Sequence, residues 1–319
     1  QQLTHLCAML RIGVANVFAR QTRLQQCRLA FELPQGLTVN GAQTFTGMQF
    51  VTDGYTVVNG TAGQLTAVNG SGGTAALRVD PGVTATIDAT INGSGTLNKL
   101  DAGTLVLGGA NAYTGGTQLD GGKSIVGSDT ALGTGALTAN AGTQLDSNAT
   151  VTLANAATLN GNLTVVGSNA LTLHGVIDGT GGLIKNGSAN LTLSGNNIFL
   201  GGITLNAGTL TPGSNSALGL GNLTVAGASA LDSNSPLSLG NNVVLNANLS
   251  NTGSNNLILT GVVSGAGGLI KNGASNLTLN GINTFSGGTT LNAGTLTLGS
   301  GTSLGSGALT VAGASTLDN

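Results

Sequence analysis

The sequence predicts an all-β protein wound as a parallel β-helix, that is, a solenoid of short strands stacked coil upon coil. Three observations support this fold class: one phrase recurs at a long fixed interval, apolar residues alternate with Thr in short segments, and the intervening turns are rich in Gly. The chain has 319 residues, of which 55 are Gly, 6% are charged and 3% are aromatic. An ordinary globular domain has about 25% charged residues and about 7% Gly, so this composition is unusual.

The repeated phrase indicates how the chain is organised. It reads Gly-Gly-Leu-Ile-Lys at Lys185 and Lys271 and Gly-Thr-Leu-Asn-Lys at Lys99, and successive lysines are 86 residues apart. A unit copied this faithfully indicates stacked neighbours, because one copy alone cannot bury its apolar face. The repeats start near residues 93, 179 and 265, and residues 36–92 look like a diverged half-unit.

Short strands are predicted from the alternation of side chains. Segments such as 163–165, 171–173 and 191–193 read apolar, Thr, apolar, and alternate side chains of a strand point to opposite faces. We therefore expect Leu, Val and Ile to face inward, Thr to face outward, and Asn at turns to stack in ladders. Coils of about 20 residues give about four coils per repeat and roughly fourteen in the chain. An antiparallel β-sandwich or barrel is the structural alternative.

Residues 1–33 differ from the rest of the chain. Their apolar residues recur at helical spacing, they contain four of the nine basic residues, and they hold both cysteines, Cys7 and Cys27. Three interpretations stay open: a helix that caps the end of the solenoid, the remains of a targeting segment, or a poorly structured leader. Residues 34–319 are expected to be a β-helical fragment of a longer chain, since the sequence stops part-way through a repeat.

Two phrases, 181–195 and 201–210, carry a family resemblance. They read GGLIKNGSANLTLSG and GGITLNAGTL and are similar to the passenger-associated transport repeat of bacterial autotransporters, as are 115–117 and 287–296. The run 47–57 resembles a segment that often precedes such repeats. The resemblance implies a right-handed parallel β-helix, repeats that assist folding during export, and a stalk for adhesive or catalytic modules.

The same resemblance implies type V secretion. The passenger would cross the inner membrane by a signal peptide and the outer membrane through its own β-barrel translocator, which we expect to lie outside this sequence. Residues 1–33 do not form a clean signal peptide, and their two cysteines differ from the cysteine-poor passengers of the family. The net charge of −2 gives no electrostatic basis for binding nucleic acid.

Motifs that could suggest chemistry are explained by the repeat. Ser303 lies in a G-x-S-x-G pattern, but the same position is Ala131 and Ala217 in the earlier copies, which favours a repeat turn over a nucleophile elbow. Residues 121–124 resemble the end of a phosphate-binding loop that lacks its first glycine. The three repeated lysines are expected to be solvated turn residues, too far apart to form a basic patch.

Several other residues have structural interpretations. His174 is expected to be a solvent-facing turn residue. One repeat position is acidic and is expected to cap turns; its members are Asp146, Asp232 and Asp318. Another repeat position is aromatic and is expected to serve packing; its members are Tyr113, Phe199 and Phe285. We therefore predict no catalytic, cofactor-binding or metal-binding residues and no cofactor.

The resulting hypothesis is a structural or adhesive passenger fragment that is exported across a Gram-negative outer membrane to the cell surface or the medium. Its expected partners are host-cell or matrix glycans or proteins, further copies of itself, and its own translocator. Two alternatives use the same fold. One is a polysaccharide-active enzyme, which needs clustered carboxylates in a groove. The other is a Thr-faced solenoid that binds ice or glycans, which needs a flat Thr array.

Overall fold

The computed structural model describes residues 28–29 and 36–319, and all of its regular structure is strand. The chain divides into two compact units, the first ending at Ala157 and the second running from Thr158 to Asn319. The strands of the first unit are β1 Arg28–Leu29, β2 Gly36–Val39, β3 Ala42–Phe45, β4 Gly47–Phe50, β5 Tyr55–Asn59, β6 Gln64–Ala67, β7 Ala75–Val79, β8 Thr84–Ile87, β9 Ile91–Gly93, β10 Leu97–Leu100, β11 Thr104–Leu107, β12 Thr117–Leu119, β13 Lys123–Val126, β14 Leu137–Ala139, β15 Gln144–Ser147 and β16 Val151–Leu153.

Strand β17, Ala157–Leu159, begins at the last residue of the first unit. The strands of the second unit are β18 Leu163–Val165, β19 Leu171–Leu173, β20 Ile177–Gly179, β21 Leu183–Lys185, β22 Leu191–Leu193, β23 Ile203–Leu205, β24 Thr209–Pro212, β25 Leu223–Val225, β26 Ser229–Leu231, β27 Leu237–Leu239, β28 Val243–Leu245, β29 Leu249–Asn251, β30 Leu257–Leu259, β31 Val263–Ser264, β32 Leu269–Lys271, β33 Asn276–Leu279, β34 Thr289–Leu291, β35 Gly294–Leu298, β36 Leu309–Val311 and β37 Ser315–Asp318.

The first unit is a parallel β-solenoid. One of its sheets has the order β2-β5-β8-β11-β13-β15, a second runs β4-β7-β10-β12-β14, and a third runs β3-β6-β9. Each strand pairs in parallel with a strand about one coil away in sequence, so the chain visits the sheets in turn. Parallel pairing with this spacing confirms the solenoid and argues against the antiparallel sandwich.

The second unit repeats the same architecture. Three of its sheets run β18-β21-β23-β25-β28-β31, β19-β22-β24-β26-β29-β32-β34-β36 and β27-β30-β33-β35-β37, and we call them sheets one, two and three; the remaining strand, β20, pairs with β17. Partners in sheet one are 20 residues apart, as in Leu183 with Ile203 and Ile203 with Leu223. The expected coil length of about 20 residues is confirmed.

The core consists of columns of inward aliphatic side chains. Leu171, Leu191, Leu210 and Leu231 are successive partners in sheet two, and each is at most 2% exposed. Most strands of three residues alternate buried, half-buried, buried, as the period of two predicts. This continuous apolar interior supplies most of the driving force for folding, at about 25 cal/mol per Å² buried.

The repeat has 86 residues, which exceeds four coils of about 20 residues. The excess corresponds to one additional strand and its turn. Strand β21 lies in sheet one, but β32, its copy 86 residues later, lies in sheet two. In the same way β22 of sheet two is followed 86 residues later by β33 of sheet three. Corresponding residues of these two repeats therefore lie on different faces of the unit.

Of the three interpretations of residues 1–33, the helix does not extend over Arg28 and Leu29. Arg28 and Leu29 form strand β1, which pairs in parallel with Gln49 and Phe50. The rest of that predicted segment, with Cys7 and Cys27, lies outside the described residues. The boundary between residues 33 and 34 and the right-handed sense of the coils stay predictions.

Candidate functional site

The three repeated lysines are buried, which contradicts the expectation of solvated turn residues. Lys99 is 1% exposed, and Lys185 and Lys271 are 0% exposed. The reason is the strand period, because Lys185 lies two residues after the inward Leu183 and thus shares its face. Its stem continues an inward column between Val165 and Leu205 of the neighbouring coils.

Each ammonium group is held by main-chain carbonyl oxygens at a corner between coils. Lys185 Nζ donates to Gly187 O in its own coil and to Ala207 O, 3.3 Å away, in the next coil. Lys271 repeats this arrangement with Gly273 O and, at 3.4 Å, Ala293 O. These hydrogen bonds compensate part of the cost of burying a charged group.

Lys99 has a related corner in the first unit. Its Nζ donates to Leu100 O at 2.9 Å, to Asp101 O at 2.9 Å and to Gly121 O, in the next coil, at 3.1 Å. Asp101 has a φ of +64°, a left-handed conformation that L residues seldom adopt, and it also pairs with Arg78 at 2.9 Å. The corner therefore brings main-chain carbonyls toward the amine in this repeat too.

Burial alters the protonation of these amines. It lowers the pKa of Lys185 to about 8 and that of Lys271 in the same direction. It also lowers the pKa of Lys99 to about 8, although the nearby Asp101 carboxylate acts in the opposite direction. Loss of water around the ammonium group is the physical cause, since it disfavours the charged form.

We expect the free energy of unfolding to rise as the pH increases from about 8 toward 10. With a folded-state pKa of about 8 and an ordinary value of 10.5, the unfolded chain binds more protons over this interval, and stability then rises with pH. Above that range the tyrosines oppose the rise, because burial raises the pKa of Tyr55 and Tyr113. Urea unfolding at a series of pH values measures the slope. The free energy of unfolding of the Lys185→Met variant should rise less steeply with pH than that of the unmodified protein. Equal slopes for the two proteins would contradict this explanation.

A second repeated feature is a buried Asn that clamps three coils together. Asn197 Oδ1 accepts a hydrogen bond from Ile177 N at 2.8 Å, and its Nδ2 donates to Ala217 O at 2.6 Å, 20 residues away on either side. The same two bonds, with lengths between 2.6 and 2.8 Å, recur in the other repeats at Asn111 and Asn283. The side chain thus provides partners for two main-chain groups where the coil has no strand, beside main-chain bonds such as that from Ile198 N to Ile177 O.

The aromatic position beside this clamp serves packing, as predicted. Tyr113, Phe199 and Phe285 are each 0% exposed. The hydroxyl of Tyr113 is paired with Thr117 Oγ1 at 2.6 Å. The second repeat has Phe199 with Ile203 at these positions, whereas the third has Phe285 with Thr289, whose buried Oγ1 has no hydrogen-bond partner.

Because the residue beside the aromatic ring is Thr289 in the third repeat and Ile203 in the second, introducing a tyrosine should have opposite effects on stability in the two repeats. Phe285→Tyr should raise the free energy of unfolding by about 1 kcal/mol, because the new hydroxyl reaches the unpaired Thr289 as Tyr113 reaches Thr117. Phe199→Tyr should lower it by about 1–3 kcal/mol, because its hydroxyl is buried against Ile203. Urea unfolding measures the free energy of unfolding of both variants. Changes of the same sign would contradict the hydrogen bond expected between the new hydroxyl and Thr289.

The serine of the G-x-S-x-G pattern has a structural role, as predicted. Ser303 is 1% exposed, its Oγ donates to Leu279 O at 2.7 Å and it accepts from Ser300 N at 2.9 Å. The phosphate-loop resemblance at 121–124 is also explained by structure. Lys123 begins β13 and pairs with Asp146 at 3.1 Å, and Ser124 is buried.

The acidic repeat position accepts hydrogen bonds from nearby main-chain N–H groups in all three copies, as predicted. Asp232 accepts hydrogen bonds from the main-chain N and the Oγ of Ser254 in the next coil; burial raises its pKa, but these bonds outweigh burial and lower it overall. Asp318 accepts from Asn319 N at 3.0 Å. Asp146 likewise accepts from Ser147 N at 2.9 Å, and it is 3% exposed and also forms the ion pair with Lys123. His174 is exposed, as expected.

The outer surface of the second unit is polar but not a flat Thr array. One outward column of sheet one reads Thr164, Ile184, Thr204, Thr224, Val244 and Ser264. The expected Asn ladders are confirmed: Asn206 Nδ2 donates to Asn186 Oδ1 and Asn292 Nδ2 donates to Asn272 Oδ1, both at 2.6 Å. Among the described residues, no three His, Cys, Asp or Glu side chains are grouped to hold a metal ion.

Several large apolar side chains of the second unit are exposed, and three of them lie on two neighbouring coils. Ile198, Leu200 and Leu220 are 54%, 56% and 66% exposed, and Leu220 N donates to Phe199 O of the preceding coil. We call these three residues the apolar patch. The equivalent residues of the third repeat are Thr284, Ser286 and Ser306, so the patch is specific to the second repeat. No charged residue or His occurs between residues 186 and 231.

Three segments of the chain match the family model of the passenger-associated transport repeat, at residues 97–123, 183–211 and 269–298. Each segment begins on the strand of a buried lysine and includes the Asn clamp and its aromatic neighbour. Over 181 residues, or 53% of the chain, the sequence is 39% identical to a curated protein described as an adhesin BmaC autotransporter from Brucella suis biovar 1 (strain 1330). The chain matches 5% of the length of that relative.

No solved structure matches the chain. In the part of the chain that the structure describes, no helix is long and apolar enough to span a membrane.

Proposed function

We propose that this chain, an autotransporter passenger segment with three transport repeats, forms part of the stalk of an adhesin displayed on or released from the bacterial surface. The coincidence of the three matched segments with the three buried-lysine strands is the observation that carries the proposal, since it ties the family pattern to the packing of the solenoid. The 39% identity to an adhesin supports a role in attachment. The partners would be host-cell or matrix molecules or a second copy of the chain, and the exporter would be the passenger's own translocator.

The apolar patch is the surface that we propose for direct contact with a partner. Large exposed side chains on a stalk lower the solubility of the unit unless a partner covers them. The segment between residues 186 and 231 carries no charge, and the coil below contributes one half-buried carboxylate, Asp178, beside Ile198, so attraction by this surface depends mainly on apolar contact and hydrogen bonds. We therefore expect attachment through it to change little with salt concentration.

Binding of the purified chain to host cells and to matrix-coated surfaces tests this proposal. A variant with Ile198→Thr, Leu200→Ser and Leu220→Ser gives the second repeat the surface of the third. Its stability should change by no more than about 0.5 kcal/mol per site, because the side chains are exposed, and its binding should fall. A matched control, Val262→Thr with Ile282→Ala, removes exposed side chains that are 40% and 69% exposed elsewhere in the second unit. A native chain that binds neither cells, matrix nor itself would contradict the adhesive role.

A further inference from the structure

Eight asparagines of the sequence are followed directly by glycine, a pair of residues that is prone to a spontaneous covalent change. The side-chain amide of asparagine is thermolabile, and a following glycine has no Cβ to keep its main-chain nitrogen away from that amide. The eight are Asn40, Asn59, Asn69, Asn92, Asn160, Asn186, Asn272 and Asn280. Folding controls the change, because the nitrogen and the amide must both be free to meet.

The change is deamidation, and water is its only co-reactant. The nitrogen of the glycine gives up its proton to water or hydroxide and forms a bond to Cγ of the asparagine. The bond between Cγ and Nδ2 then breaks, and ammonia leaves with a proton taken up from water. Water opens the resulting cyclic imide at either carbonyl, so that the product is an aspartate or an isoaspartate, whose main chain runs through the former side chain.

Hydrogen bonds hold the first two of these pairs. Asn40 Oδ1 accepts from Thr61 N at 2.8 Å, and Gly41 N donates to Thr61 O at 3.0 Å. After Asn59, the nitrogen of Gly60 donates to Val39 O at 2.7 Å. These bonds must break before the nitrogen can attack the amide, so we expect both pairs to react slowly in the folded chain.

The next three pairs are engaged in other ways. Asn69 Oδ1 accepts from Thr96 N at 2.8 Å. Asn92 and Gly93 lie in strand β9, which pairs with β6. Asn160 also has an interaction partner. The fold therefore restrains these pairs too.

The Asn ladders hold the two pairs that follow the buried lysines of the second unit. Asn206 Nδ2 donates to Asn186 Oδ1, and Asn292 Nδ2 donates to Asn272 Oδ1, both at 2.6 Å. Asn272 is held at its other end as well, since its Nδ2 donates to Ser250 Oγ at 2.7 Å. A ladder bond fixes the plane of the amide and so opposes rotation of Cγ toward the following nitrogen.

Asn280 differs from the other seven. Its side chain is exposed and has no hydrogen bond to any described residue. Gly281 is buried, but its N–H donates to no acceptor in the described part of the chain, so no bond has to break before its nitrogen attacks. Gly299 of the next coil leaves space beside the amide, since an added Cβ there would collide with Asn280 Oδ1.

From these contacts we propose that Asn280 is a modification site, at which the folded protein deamidates faster than at its other Asn-Gly pairs. The product places a carboxylate in a stretch that has no charged residue or His between Lys271 and Asp318. An isoaspartate would also lengthen the main chain shortly before Asn283, which clamps three coils. Ageing of the chain thus adds charge and strains one clamp of the third repeat. This inference does not depend on the proposed attachment function.

Timed incubation of the purified full chain in heavy-oxygen water tests the proposal. Digestion with pepsin at acid pH, followed by mass spectrometry, measures each Asn-Gly pair separately, and the heavy oxygen marks only the amides lost during the incubation. Asn280 should convert several-fold faster than Asn59 in the folded chain. In urea the two should convert at similar rates, because the bond that holds Gly60 N is gone. Equal rates in the folded chain, or a faster rate at Asn186 than at Asn280, would overturn the proposal.

A pair of matched variants provides the second test. Asn280→Ser gives the third repeat the residue of the second, Ser194, and Asn59→Ser removes a pair that the fold holds. Both side chains are exposed, so each variant should fold with a stability within about 0.5 kcal/mol of the unmodified protein. On ion exchange the ageing Asn280→Ser protein should accumulate several-fold less of the more acidic species, and Asn59→Ser should age like the unmodified protein. An Asn280→Ser protein that ages at the unmodified rate would overturn the proposal.

Discussion

Asn197→Ala is expected to lower the free energy of unfolding by about 1–3 kcal/mol for each of the two main-chain groups that it leaves unpaired. Asn197 is 0% exposed, and it satisfies Ile177 N and Ala217 O in two different coils. Water has no access to replace these bonds, so both groups would be buried without partners. Urea unfolding of the variant measures the loss.

The adjacent residue provides the control for this substitution. Asn196 is exposed, and its Oδ1 accepts one hydrogen bond from Ser216 Oγ at 3.2 Å. Asn196→Ala should therefore change the free energy of unfolding by no more than about 0.5 kcal/mol. Equal effects of the two substitutions would contradict the assignment of Asn197 as a clamp between coils.

Gly273→Ala is expected to destabilise the second unit by about 3 kcal/mol or more, at the upper end of the cost of overpacking. Gly273 lies at the Lys271 corner, and an added Cβ would lie 1.7 Å from Thr252 O of the coil below. Because that atom belongs to the main chain, the two coils would have to separate. The midpoint of thermal or urea unfolding measures the effect.

Gly301→Ala is the matched control, because an added Cβ at Gly301 meets no atom within 4 Å. Its effect should stay within about 1 kcal/mol. A variant Gly273→Ala that unfolds at the same urea concentration as Gly301→Ala would show that the coils are not packed as closely as described.

The fold was predictable because its signals are local and repeated. The alternation in segments such as 163–165 predicted inward Leu and outward Thr, and the fixed spacing of the repeat predicted stacking. The advance of one face per repeat was missed, because it depends on the small difference between the 86-residue repeat and four coils. The sequence predicted a coil of only approximate length, and strand pairing shows that the partners in sheet one are 20 residues apart.

The repeated lysines were predicted wrongly because the general preference of Lys for solvent outweighed the position of each lysine in its strand. Leu183 and Lys185 lie two residues apart in one strand and therefore point to the same face, so alternation alone places the lysine inward. The prediction placed each lysine in a solvated turn instead, in line with the general rule that Lys is almost never fully buried unless it is paired. What the sequence did not reveal is the set of carbonyl oxygens, Gly187 O and Ala207 O among them, that come together only when the coils stack.

The Asn clamps were missed for a related reason. Asn is so frequent in this sequence that its recurrence beside Tyr113, Phe199 and Phe285 did not stand out. The available signal was the combination of Asn, one variable residue and an aromatic residue at the repeat interval. Its function depends on main-chain groups 20 residues away on either side, which only coil stacking brings within reach.

Amine labelling of the native chain tests most directly whether the repeated lysines lie inside stacked coils. The sequence has four lysines, and the side chain of Lys123 is 28% exposed whereas the other three are at most 1% exposed. Acetylation followed by peptide mass spectrometry should modify Lys123 rapidly and leave Lys99, Lys185 and Lys271 unmodified until the chain is unfolded in urea. Acetylation of Lys185 and Lys271 in the native chain at the rate of Lys123 would contradict the buried-lysine solenoid.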